Sequence, residues 1–109
     1  MFVRLFQVSS SSPLFALDCE FVLVQGNEFA PVIISIVNEA GEVVYHTLIK
    51  PQVQVTDYLT KFSSMNKSSL SGVTTTLADV HAAIRANLPP DAILVGHSLD
   101  SDLLNLKVI

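Results

Sequence analysis

Residues 14–24 read LFALDCEFVLV, and this stretch decides the fold. Branched and aromatic residues dominate it and a Gln-Gly-Asn turn follows, a combination that predicts a β-strand. Asp18 and Glu20 are two positions apart, so a strand points both side chains to one face. Both faces are otherwise apolar, and burying a carboxylate is costly unless a cation lies beside it or the face is open. The segment alone leaves two equal alternatives, a divalent-cation site and a pair of solvated acids.

After this strand, the sequence predicts two more strands. Residues 31–38 (PVIISIVN) start at Pro31, which a first strand position tolerates, and residues 43–49 (VVYHTLI) follow a turn in which Gly41 supplies a positive φ. Short connections between the three strands indicate antiparallel neighbours. Residues 51–75 are expected to be irregular, with a short helix around 66–71.

A helix and a fourth strand follow. Thr76 and Asp79 have the spacing of a capping box, and Pro89-Pro90 ends the helical pattern. Residues 92–95 (AILV) are typical of a central parallel strand, and Ser98 is expected to cap a last helix. The order β-β-β-α-β-α predicts an α/β fold with a mixed sheet, in which three antiparallel strands and one parallel strand are flanked by helices.

The composition is that of one globular domain. The chain has 109 residues, of which 50% are hydrophobic, and a net charge of −4. These values exclude disorder and argue against a partner held by electrostatics alone. The longest apolar runs are too short for a membrane span, and the one cysteine excludes an internal disulfide. We interpret residues 1–13 as a ragged N-terminal segment and residues 14–109 as a domain, incomplete at its C-terminus.

A second acidic pair, Asp100 and Asp102, falls in the first turn of the predicted last helix. Acids there stabilise the helix dipole, and we favour that role for Asp100. Asp102 lies nearer the core side of the helix. If the helix follows a strand adjacent to the first, Asp102 can approach Asp18 and Glu20 and complete a site of three carboxylates, whose oxygen donors suit Mg²⁺ or Mn²⁺.

The other reactive side chains have more ordinary interpretations. His46 on a strand and His81 on a helix are typical surface residues, and His97 is typical of a turn. Cys19 alternates to the face opposite the acids and is interpreted as a small core residue rather than a nucleophile.

Several segments together resemble a known family. ALDCEFV, VVYHTLIKP, VTDYLTKFS, VTTTLADVHAAI and DAILVGHSLDSDLLNLKVI, all within residues 14–109, are similar to the RNA exonuclease (Rex-type) branch of the DEDDh 3′–5′ exonucleases. The resemblance implies an RNase H-like fold and a two-metal Mg²⁺ or Mn²⁺ site that removes nucleotides from single-stranded 3′ ends. The family's catalytic and metal-binding carboxylates map onto Asp18, Glu20 and Asp102. The positions that line its substrate cleft are Cys19, Phe21, His97 and Ser98.

The chain also departs from the family pattern. The family's third motif, a histidine with an aspartate some five residues on, has no counterpart between Asp102 and Ile109. His46 stands where the family usually has aspartate, and Ser64 where it usually has glycine. We therefore expect these 109 residues to be inactive or weakly active, and the strand at 92–95 to have an unpaired edge.

Three functions stay open at this point. The first is an exonuclease domain, for which the choice of RNA over DNA rests on the resemblance alone. The second is a non-catalytic fragment that binds nucleic acid or metal. The third is an α/β interaction domain whose acidic side chains are solvated. The family implies a nuclear location, with the cytoplasm as the alternative, and no membrane association is expected.

Overall fold

The computed structural model of the chain describes residues 2–4, 11–59 and 65–96. These residues form six strands, one α-helix and one 3₁₀-helix. In chain order these are β1 (Phe2–Arg4), β2 (Leu14–Val24), β3 (Glu28–Asn38), β4 (Val43–Leu48), β5 (Val55–Asp57), the 3₁₀-helix (Lys67–Leu70), α1 (Leu77–Asn87) and β6 (Ile93–Val95). The predicted last helix lies outside the described residues.

The strands form one mixed sheet in the order β1-β6-β2-β3-β4, and β5 pairs with the far end of β2. β2, β3 and β4 are antiparallel neighbours, while β6 runs parallel to β2. Gly41, in the turn between β3 and β4, has the predicted positive φ of 82°. The predicted arrangement of three antiparallel strands and one parallel strand is confirmed.

β3 begins three residues earlier than the sequence predicted, so placing Pro31 at its first position was wrong. Pro31 is buried inside β3, opposite Phe21. The register of β2 against β3 shifts between Glu20 and Phe21. Proline has no N–H to donate, and a bulge is one of the few places within a sheet that accepts it.

Helix α1 starts and ends where its sequence predicted. The Asp79 N–H donates to Thr76 Oγ1 over 3.1 Å, and the Thr76 N–H donates to Asp79 Oδ2 over 2.9 Å. This reciprocal pair satisfies two N–H groups that a helix start leaves without partners. The last helical residue is Asn87, and Leu88 and the Pro89-Pro90 pair follow it.

Two apolar clusters hold the sheet, one on each face. The larger joins one face of β2 and β3 to α1 and β6. Its buried members are Phe15, Leu17, Cys19, Ile34, Ile36, Ile49, Val80, Ile84, Leu88, Ala92 and Leu94. The smaller cluster lies on the other face at the far end of β2 and consists of Val22, Val24, Val32 and Met65. Because side chains alternate along β2, the smaller cluster shares its face with Asp18 and Glu20.

Two short strands were not predicted. β1 pairs antiparallel with β6, so β6 has a neighbour on each side and the expected unpaired edge at 92–95 is wrong. β5 lies in the region 51–75 that was expected to be irregular. Both strands have only three residues, too few to show a periodic pattern, and each is defined by its pairing with another strand, β1 with β6 and β5 with β2. Among the described residues, no helix has the length and apolar character needed to cross a bilayer.

Candidate active site

The two carboxylates of β2 lie on the face of the sheet opposite α1. Asp18 is exposed and Glu20 is half-buried, whereas Leu17 and Cys19 alternate into the larger apolar cluster. Two strand residues span about 6.6 Å, so the acidic side chains stand near each other. The exposure of Asp18 agrees with both interpretations that the sequence allowed, a divalent-cation site and a pair of solvated acids.

Within the described residues, strands border one edge of β2 at its two ends and leave its middle unpaired. β6 pairs with residues 14–16, and β5 pairs with Leu23 and Val24. No strand in the described part of the chain borders residues 17–22 on that edge. Asp18 and Glu20 therefore lie beside a notch just beyond the carboxyl end of β6. Ligands of open α/β sheets bind in crevices of this kind.

Strand register gives each acid a row of neighbours on the same face. Asp18 pairs with Ser35, which pairs with the exposed His46 on β4. Glu20 pairs with Ile33, which pairs with Leu48. Neither row contains a lysine or arginine. The sequence showed that His46 is a surface residue, but its position two strands from Asp18 depends on register, which no local pattern specifies.

Comparison with known proteins connects this geometry to a family. Over 103 residues, 94% of this chain, the sequence is 50% identical to RNA exonuclease 5 of Homo sapiens. It is 40% identical to the RNA exonuclease 1 homolog of Homo sapiens over 113 residues, 99% of this chain. The chain belongs to the RNA exonuclease family of these relatives. It spans 13% of the length of the first relative and 9% of the second. No family model matches the sequence.

The fold comparison agrees with the RNase H-like class expected of such an exonuclease. The catalytic unit of Neurospora crassa Pan2, a protein with a protease and a nuclease domain, aligns with 95% of this chain and 20% of its own at a TM-score of 0.66. The two sequences are 15% identical over the match, so this likeness concerns the fold alone. It confirms the predicted fold class.

The other predicted site residues fall in two groups. Cys19 is buried in the larger apolar cluster, and Phe21 is half-buried against that cluster. Both side chains thus belong to the face opposite Asp18, and their predicted place along the substrate cleft stays a prediction. His97, Ser98, Asp100 and Asp102 lie outside the described residues, as does Ser64.

The donor set of the described residues suits a hard divalent cation in part. Asp18 and Glu20 offer carboxylate oxygens, the ligands that Mg²⁺ and Mn²⁺ prefer. Within residues 11–59 and 65–96, no group of three histidine, cysteine or acidic side chains is placed to hold a metal ion. The predicted third carboxylate, Asp102, lies outside these ranges. Two of the three predicted ligands are therefore together on one face.

Proposed function

We propose that this chain is part of a metal-dependent exonuclease that removes nucleotides from single-stranded 3′ ends, with RNA as its substrate. One observation carries the proposal: the two carboxylates of β2 stand on an open face, beside a notch in the sheet, in a member of the RNA exonuclease branch. The names of the relatives favour RNA over DNA.

In this proposal Asp18 and Glu20 hold the divalent cations, Mg²⁺ or Mn²⁺, and Asp102 is the third ligand. When bound, two such ions neutralise the scissile phosphate and activate the attacking water. Two carboxylates and a phosphodiester repel one another in their absence, so the acidic pair by itself opposes substrate binding. The edge of β2 that no described strand borders gives a single strand access to the pair. His97 and Ser98 are proposed to lie along the path of the terminal nucleotide. Cys19 and Phe21 are proposed to approach it through backbone atoms, because their side chains face the larger cluster.

We extend the proposal to the rate of these 109 residues by themselves. No histidine followed by an aspartate occurs between Asp102 and Ile109. A general base is worth about 10²- to 10⁴-fold in rate, so the 109-residue polypeptide is expected to bind metal and cleave slowly. Rapid trimming of a labelled strand by the purified polypeptide would contradict this part alone. A nuclear location of the full-length protein is a further part of the proposal, tested with a fluorescent fusion.

Metal binding tests the site directly. Asp18→Asn and Glu20→Gln should each weaken Mn²⁺ binding by at least about tenfold, because loss even of second-sphere partners costs 10- to 100-fold. Calorimetric titration of the 109-residue chain measures this. Glu28→Gln is the matched control, since Glu28 is an exposed acid at the start of β3, opposite Val24 at the far end of β2.

The direction of cleavage tests the other part of the proposal, that nucleotides are removed from the 3′ end. A 5′-labelled single-stranded RNA, incubated with concentrated protein and Mn²⁺, should shorten from its 3′ end, and Asp18→Asn should abolish the ladder. Cleavage of a circular RNA would identify an endonuclease instead. Equal Mn²⁺ affinity in the wild type and both acidic variants would sink the proposal, and it would leave the solvated-acid alternative.

A further inference from the structure

A cleft of about 560 Å³ opens between the segment that follows β4 and the 3₁₀-helix. Lys50, Lys67 and Ser68 are among the residues that line it, and so are the apolar side chains of Val55, Tyr58 and Leu70. The lining therefore combines two ammonium groups with apolar surface.

The side chains that line the cleft carry a charge opposite in sign to the net charge of the chain. The chain has ten acidic and six basic residues, yet the described residues that line the cleft include no aspartate or glutamate. Lys50 and Lys67 are two of the three lysine and arginine side chains in residues 11–59 and 65–96, the third being Arg85. Both lysines are exposed, and neither ammonium forms an ion pair within those ranges. Two uncompensated ammonium groups across a groove favour an anionic ligand.

The cleft lies on the same side of the sheet as the acidic pair. Val55, Tyr58 and Leu70 pack against the smaller apolar cluster, whose members Val22 and Val24 continue the face that carries Asp18. Six strand residues separate Asp18 from Val24, a distance of about 20 Å. A stacked single strand advances about 3.4 Å per nucleotide, so about six nucleotides cover that distance.

We propose that this cleft binds the phosphodiester backbone of the single-stranded nucleic acid whose 3′ end reaches the acidic pair. The inference rests on the proposed function and deepens it. Lys50 and Lys67 contact phosphates, and the apolar part of the lining accepts a base or ribose without reading its identity. This separates the roles of the two regions: the acidic pair acts on the terminal phosphodiester, and the cleft holds the strand several nucleotides away.

The experiment measures binding without turnover. A fluorescein-labelled 12-nucleotide oligouridylate is titrated in EDTA with the 109-residue chain at several salt concentrations. Each phosphate contact on a single strand contributes about 0.7 to the slope of log affinity against log salt. Lys50→Gln and Lys67→Gln should each weaken binding and reduce that slope by about 0.7, while Lys67→Arg keeps it. Arg85→Gln is the matched control, because Arg85 is exposed on α1 and loses the same charge.

Backbone recognition also predicts that the two glutamine variants lose the same fold of affinity for RNA and for DNA of equal length. The inference is overturned if the slope is unchanged in both variants, if Arg85→Gln reduces it equally, or if the chain binds phosphatidylserine vesicles but no oligonucleotide. Thermal melts of each variant show whether it is folded. Because EDTA removes metal-dependent cleavage from the readout, failure here leaves the exonuclease proposal standing, and failure of cleavage leaves this binding test intact.

Discussion

The phenol of Tyr45 lies half-buried on the face of β4 that packs against α1. Burial raises the pKa of Tyr45 above 10.0, the negative charge of Asp79 raises that pKa further, and a hydrogen bond with Thr47 opposes the shift. Asp79 thus acts on two neighbours at once, as a cap of α1 and as a charge beside the phenol. Asp79 therefore connects the pH dependence of the free energy of unfolding to the packing of α1 against β4.

The pKa of Tyr45 predicts how stability falls in alkali. Below about pH 10 the phenol is protonated in both the folded and the unfolded chain, so its contribution is fully present. Above pH 10 the unfolded chain loses the proton first, and the free energy of unfolding decreases as pH rises through the folded pKa. Tyr45→Phe should flatten this decrease above about pH 10, as measured by urea unfolding. Tyr58→Phe is the control, and equal slopes in Tyr45→Phe and the wild type would contradict the assignment.

At the scale of the element, α1 depends on its start. Its N-terminus is held by the reciprocal bonds of Thr76 and Asp79, and its buried side chains, Val80 and Ile84, enter the larger cluster. A helix of 11 residues is only marginally stable in isolation. Cap and packing therefore have to act together to keep it formed.

Thr76→Ala tests the cap. Loss of the threonine oxygen leaves a helix N–H without its partner, and the free energy of unfolding should fall by about 1 kcal/mol. Thr74→Ala, at an exposed position two residues earlier, should change it by less than about 0.5 kcal/mol. Urea unfolding at neutral pH measures both. A Thr76→Ala chain as stable as Thr74→Ala would show that packing alone holds α1.

At the scale of the whole molecule, β1 completes the sheet from the far end of the chain. It pairs Phe2 with Val95, Val3 with Leu94 and Arg4 with Ile93. Without it, β6 would present a row of unpaired backbone groups, a template for pairing with another chain. The most N-terminal residues thus cover the edge of the strand whose carboxyl end borders the acidic notch.

Deleting residues 1–4 should destabilise the chain by about 1–2 kcal/mol and lower its melting temperature by roughly 5–10 °C. Light scattering should show association that increases with protein concentration, because the uncovered edge of β6 can pair between molecules. A chain with threonine at positions 2–4 keeps the backbone hydrogen bonds and should remain monomeric at the same concentration. If the deleted chain melts like the wild type, β1 contributes nothing to the sheet.

Local patterns were enough to find most elements and the shared face of Asp18 and Glu20. The alternation of residues 14–24 placed Asp18 and Glu20 on one face, and the spacing of Thr76 and Asp79 located the start of α1. Both are decided by neighbours within a few residues, which the sequence displays directly. The resemblance of the motifs to RNA exonucleases was confirmed by the comparisons.

Long-range pairing decided what the sequence could not. The position of Pro31 inside β3, the coverage of β6 by β1, and the notch between β5 and β6 all follow from strands that meet across many residues. Lys50 and Lys67, 17 positions apart, come together only because β5 and the 3₁₀-helix fold over the smaller cluster. Such contacts depend on register and on the competition among possible partners, so the full tertiary structure is needed to fix them.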